Sequence, residues 1–147
     1  MASPPVESQE ARFQVHVTAE SHFSWLRTRL SVERTMMSWI RTSIACIGFG
    51  FTIVQFFDRL GSMEGIAAAL RPQAPRYIGL ALIAAGILAL AISLVQYRWG
   101  VRYLWSEPYR SIAGAKAHEM QTPIIGLTIM LMLTGLLAFG AVLVRAV

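Results

Sequence analysis

Leu30-Ser31-Val32-Glu33-Arg34-Thr35-Met36-Met37-Ser38-Trp39-Ile40-Arg41-Thr42 is the stretch on which the reading of this chain turns. It is charged and rich in hydroxyls, holds no glycine or proline, and runs directly into apolar residues ending at Phe57. Steps of seven residues put Arg27, Arg34, Arg41, Gly48 and Gln55 in one row. Four residues on, Ser31, Ser38, Ala45 and Thr52 form a second row. In a helix the two rows share a face. The other faces carry Trp25, Val32, Met36, Trp39, Ile40, Ile44, Ile47, Phe51 and Val54, with Phe49 and Phe56 at the edge of the polar seam. Polar groups facing hydrocarbon are costly, so the seam is expected to face protein or water.

Composition sets the same frame. Of 147 residues, 55% are hydrophobic and only 14% charged, and the mean hydropathy is +0.53. That is too apolar for an ordinary soluble domain of this length, and one domain is expected. The net charge of +5 implies anionic headgroups and orientation in a bilayer rather than nucleic acid. The single cysteine, Cys46, lies within an apolar run and has no partner for an intrachain disulfide. No zinc, nucleotide or dinucleotide motif occurs, so neither a metal nor a cofactor is expected. No cleavable leader is read at Met1–Ser8, which lacks a basic and an apolar region.

Working outward, residues 1–18 read as a tail. From about Ala19 an amphipathic interfacial helix is expected, capped by Thr18 or Ser21 and running to about residue 35. The first span covers about 36–57, roughly 33 Å at 1.5 Å per residue. A connection from Arg59 to Arg76 follows, with a brief helix expected over Met63–Leu70. The second span is 77–97, where Ala81, Ala85, Ala89 and Ser93 form a four-residue ladder suited to close helix packing. Arg98 to Gln121 reads as the second connection. The third span, 122–144, opens on Thr122-Pro123, a cap followed by proline at the first helical position. The fold class is therefore all-α: an integral membrane protein with three transmembrane helices after an interfacial helix. Arg12, Arg27, Arg29, Arg34, Arg41, Arg98, Arg102, Arg110 and Lys116 fall on one side of the bilayer, and Arg59, Arg71, Arg76 and Arg145 on the other. That asymmetry places the N-terminus in the cytoplasm.

The candidate functional residues follow. Arg27, Arg34 and Arg41, with Arg98 and Arg102 closing the second span, can bind phosphate oxygens in forked geometry and line an anion path. The bland alternative is that they snorkel to headgroups. Glu33 can pair with Arg29 four residues back, or with Arg98 or Arg102 across helices. Trp25, Trp39, Trp99 and Trp105 read as aromatic anchors at the membrane boundary. His16, His22 and His118 are isolated in sequence and near the surface, and no metal site is read from them. The spans hold no acid, and no nucleophile with a base is found, so an enzyme is not expected.

Glu33-Arg34-Thr35 followed by Trp39-Ile40-Arg41-Thr42 and a glycine-containing span resembles the signature of the YidH-like family of small bacterial inner-membrane proteins, over about residues 25–146. Tyr97-Arg98-Trp99 resembles a further feature of that family. The chain departs from it at Ser31-Val32 and Met36-Met37. The resemblance extends to the membrane domain of the yeast vacuolar transporter chaperone complex. There, several copies surround a path for polyphosphate, which a separate catalytic domain makes. It implies that Arg34 and Arg98 match basic residues of such a path and that Glu33 matches an acidic neighbour; the polymerase and sensing domains have no counterpart here. The expected function is an oligomeric channel or transporter component for phosphate-type anions in the bacterial inner membrane. The alternative is a non-conducting scaffold that docks a cytoplasmic protein through Arg98–Lys116. The expected partners are the lipid bilayer, further copies of the chain, and one of these two.

Overall fold

The computed structural model describes residues 16–62, 73–114 and 123–144. Their regular structure is entirely helical: α1 (Ala19–Gly61), α2 (Gln73–Leu104), α3 (Glu107–Ala113) and α4 (Ile124–Val144). Three of these, α1, α2 and α4, are long and apolar enough to cross a membrane. The brief helix expected over Met63–Leu70, the expected cap Thr122 and most of the tail lie outside the described residues.

The interfacial helix and first span expected from sequence are one helix. Thr18 caps it through a reciprocal exchange with Ser21, whose backbone N–H donates to the Thr18 hydroxyl while the Ser21 hydroxyl accepts from the Thr18 N–H. From there α1 runs 43 residues without a break, about 64 Å, which is twice a hydrocarbon core. No residue between Ser31 and Met36 interrupts its hydrogen bonding, so the two halves share one axis. The second connection is likewise shorter than Arg98–Gln121. Helix α2 carries on from Tyr97 to Leu104, and α3 follows after two residues. Gly114, in the left-handed region at φ 64°, ends α3.

Helices α1 and α2 form an antiparallel hairpin in register along their whole length. Gly50 meets Gly79, Ser43 meets Gly86, and Val32 meets Gly100. At the far end the Trp25 indole donates to the Leu104 carbonyl at 3.0 Å. The points of closest approach are glycines. A Cβ on Gly79 would lie 2.4 Å from a Val54 methyl and 2.7 Å from the Gly50 oxygen; one on Gly86 would lie 2.9 Å from the Ser43 oxygen. Residues Gly79, Gly86, Ser93 and Gly100 are thus a seven-residue row of small side chains, with Ile83, Leu90, Tyr97 and Leu104 as the large row beside it. This corrects the alanine ladder. Ser93 is buried as expected, but Ala81 and Ala85 are exposed and Ala89 only half-buried. The packing period is seven, not four, because helices crossing at a shallow angle keep contact on a 3.5-residue repeat.

Helix α4 lies parallel to α1. Its start, at Ile124 and Ile125, packs with Met36, Ile40 and Tyr97, and its end, at Val142, with Val54 and Ile83. Its 21 residues measure about 31 Å, one hydrocarbon core. Its start is level with Met36, so a hydrocarbon core spanned by α4 would have its boundary there. Beyond it α1, α2 and α3 continue as a stem with its own core of Trp25, Leu104, Ile112 and Ala113.

Gly79→Ala should cost about 1 to 3 kcal/mol, since overpacking at a backbone contact cannot be relieved locally. Gly48→Ala, which meets nothing within 4 Å, should leave stability unchanged. Denaturant titration of tryptophan emission in mild-detergent micelles reads both, and equal midpoints for the two variants would remove the glycine contact as a determinant.

Candidate functional site: a two-arginine groove beside a buried ion pair

The packed face of α1 consists of Trp25, Arg29, Met36, Ile40, Ser43, Gly50 and Val54. At 100° per residue these lie within about 40° of one direction, and the polar seam lies about 100° to 220° away from it. The structure leaves that seam on the outside of the single chain. Arg27, Arg34, Arg41 and Gly48 are exposed, as are Ser31, Ser38, Ala45 and Thr52, and Gln55 is half-buried. Within the seam an open groove of about 460 Å³ is lined by Leu30, Glu33, Arg34, Met37, Ser38, Arg41 and, from α4, Ile124. It brings together Arg34, Arg41, Ser38 and Glu33 at the membrane boundary. Arg27, Arg98 and Arg102 do not line it; the last two are exposed on α2.

Arg41 stands about 7.5 Å below the level of Met36. Among the described residues no acid pairs with it. It faces away from the bundle, where a guanidinium in hydrocarbon would cost about 2 to 3 kcal/mol. Arg34 lies two turns above it on the same row. The pair therefore offers forked donors at two heights, with the Ser38 hydroxyl between them.

Glu33 takes the nearer of its two expected partners. Its carboxylate is 3.6 Å from Arg29 Nε, an ion pair too long for a hydrogen bond. Arg29, expected only as a partner for Glu33, is also buried. Its residue exposure is only 7%, and its guanidinium lies 5.9 Å from the centre of the Trp25 ring. Trp25 is correspondingly not a membrane-boundary anchor. It is buried in the stem, edge-on to half-buried Trp105 at 5.4 Å. Trp39 and Trp99 remain exposed, as anchors require. His22 is half-buried, and its Nδ1 lies 2.8 Å from the Ile112 carbonyl, so that nitrogen carries the proton and donates. His22, Trp25, Arg29 and Glu33 thus run down one edge of α1, where His22 and Trp25 clasp the end of α3 and α2 and Arg29 links Trp25 to Glu33. The spacing of three or four residues between these side chains was present in the sequence, but the partners of His22 and Trp25 lie 90 and 79 residues away.

On α2 and α3 a file of aromatic rings faces outward. Trp99 stacks on Tyr103 at 5.9 Å and 15°, and Tyr103 meets Tyr109 with hydroxyls 3.2 Å apart. The hydrogen bond to Tyr103 raises the Tyr109 phenol above its ordinary range. Among the described residues no three His, Cys, Asp or Glu side chains gather as a metal site would require.

These features define a small helical membrane protein whose first two helices form a glycine-packed hairpin continued into a stem. The chain belongs to the DUF202 family, a domain of unknown function, whose model matches residues 27–103. The match covers most of the α1–α2 hairpin and leaves α4 outside. No curated protein and no solved structure matches the chain.

Arg29→Ala would strand Glu33 beside the stem core. It should destabilise the stem by about 2 kcal/mol, whereas Arg34→Ala, already exposed, should not. Thermal melting followed by Trp25 and Trp105 emission checks the contrast.

Proposed function

We propose that the protein is an oligomeric membrane channel or transporter component for phosphate-type anions, set in a bacterial inner membrane with its stem in the cytoplasm. The observation that carries this reading is the outward position of the arginine seam. A helix that buries Met36, Ile40 and Val54 against its own hairpin keeps Arg34 and Arg41 on the opposite side, at and below the membrane boundary. A lone chain would leave Arg41 in lipid, and several copies with α1 toward a common axis would give it water and anions instead. The groove at Glu33, Arg34, Ser38 and Arg41 is then the entrance. Support of a different kind comes from the resemblance to the YidH-like proteins and to the vacuolar transporter chaperone membrane domain. No enzymatic step is part of this reading.

The second reading is a non-conducting scaffold. What favours it is the exposed aromatic file Trp99, Tyr103 and half-buried Tyr109, with Arg98, Arg102 and Arg110 exposed beside it. Aromatic and arginine side chains together are the usual anchors of a protein interface.

Proteoliposomes loaded with phosphate or short polyphosphate separate the two. Arg34→Ala and Arg41→Ala should each lower efflux at least tenfold while leaving the assembled mass unchanged. Efflux absent from the wild type, with partner capture lost on Tyr103→Ala, would instead install the scaffold.

A further inference from the structure

On the side of α1 turned away from the arginine groove, two further grooves lie end to end between the helices. The lower one, about 580 Å³, stands between Trp39 and Trp99 over Val32, buried Met36 and Gly100. The upper one, about 320 Å³, rests on the buried side chains of Trp25, Leu104 and Ile112. Thr28 of the upper groove is one turn from Ser31 and Val32 of the lower, and Tyr103 of the upper stacks on Trp99 of the lower at 5.9 Å. Together they form one trough, about 160° around α1 from the arginine groove. The trough shares no lining residue with that groove, and neither of its linings holds a charged side chain.

With the hydrocarbon boundary level with Met36, the lower groove runs from Trp39, about 4 Å below, to Ser31, about 8 Å above, and so spans the headgroup layer of about 5 to 7 Å. A headgroup phosphate in this largely apolar groove would lose water and meet no cation. Hydrocarbon suits it, but only from a lipid raised above its neighbours. The head of such a lipid arrives in the upper groove, where Thr28 to Ser21 stand about 12 to 22 Å above the boundary. That groove has a rim of hydroxyls, from Ser21, Ser24 and Thr28 on α1, Tyr103 on α2 and Tyr109 on α3. The Tyr103 and Tyr109 hydroxyls are 3.2 Å apart, so one donates to the other and the second proton of the pair is left to donate outward. The Thr28 hydroxyl donates to the Ser24 carbonyl at 3.0 Å, and its oxygen still accepts. An apolar base under an uncharged hydroxyl rim matches a sugar ring, which has apolar C–H faces and a hydroxyl edge.

Gly100 is an independent sign. It continues the row of Gly79 and Gly86, where a Cβ would strike backbone, yet a Cβ on Gly100 would sit 3.5 Å from a Val32 methyl, an ordinary contact. Helix packing does not require glycine there. What the missing side chain keeps open is the lower groove.

We propose that the trough holds one molecule of a neutral glycolipid, a sugar-headed diacylglycerol, with the sugar in the upper groove and the tops of its hydrocarbon chains in the lower. Ser31 and Gln96, also in the lower lining, supply polar partners for the ester groups between the two. The site is independent of the anion path, since the two grooves lie on different sides of α1.

Native mass spectrometry of the full chain, released from phosphatidylcholine nanodiscs, tests this. Three sets of nanodiscs carry monoglucosyl diacylglycerol, diacylglycerol or phosphatidylglycerol, at equal mole fraction and with the same acyl chains. One monoglucosyl lipid per chain should survive release, at least fivefold more often than either of the others. Gly100→Leu, which fills the lower groove, should cut that retention at least fivefold. Tyr103→Phe with Tyr109→Phe keeps the rings and removes the rim phenols. It should bring monoglucosyl retention down to the diacylglycerol level with melting unchanged, so a folding failure of Gly100→Leu does not decide the outcome. Equal retention of diacylglycerol would show that the head is not read and would overturn the proposal. So would a preference for phosphatidylglycerol, which assigns lipid capture to the arginines, or glycolipid retention untouched by both variants, which marks lipid gathered loosely around the helices.

Discussion

Everything in this molecule depends on how closely α1 and α2 approach. At Gly50–Gly79 and Ser43–Gly86 the backbones are so near that a Cβ would strike a carbonyl oxygen. In lipid there is no hydrophobic force between helices, and association relies on van der Waals contact that only small residues permit at this distance. Fixing these two points fixes the register of the whole hairpin, because both helices are rigid over more than thirty residues. It follows that Trp25, seven turns from Gly50, meets Leu104 beyond the membrane.

The same contact decides which face of α1 is spent inside the chain. Once Met36, Ile40, Ser43 and Val54 are turned toward α2 and α4, the arginine row faces outward by geometry. Of α2 and α4, only Ile124 of α4 reaches the groove beside it.

The stem gives a second lesson about charged residues. The seven-residue period singles out Arg27, Arg34 and Arg41, while Arg29 stands outside it and is marked only by its i−4 spacing from Glu33. Burial reverses that ranking for stability. Arg29 sits over Trp25 and beside Glu33, and those interactions are in place within the single chain, while the row at seven is free for interactions between chains. Desolvation is what separates the two roles. A guanidinium hidden beside an indole is held by its immediate partners, and one left at the surface is available to an anion or headgroup.

The helical class and the three long apolar helices were legible from the sequence, because about twenty apolar residues in lipid have no other way to satisfy their backbone. The period of seven in the arginines and a cap at Thr18 or Ser21 were legible because they are local, written within one helix; the structure chose Thr18. What only the tertiary structure decided was everything that pairs distant residues. Gly79 and Gly86 rather than Ala81 and Ala85 became the contact, α1 and α2 ran past the expected boundaries into a stem, Trp25 became a core residue bonded to the Leu104 carbonyl, and half-buried His22 was held by the Ile112 carbonyl. An alanine ladder and a glycine row both read as small-residue stripes along one helix. Which of them is buried depends on the rotation of α2 about its axis, and that rotation is set by the shape of α1.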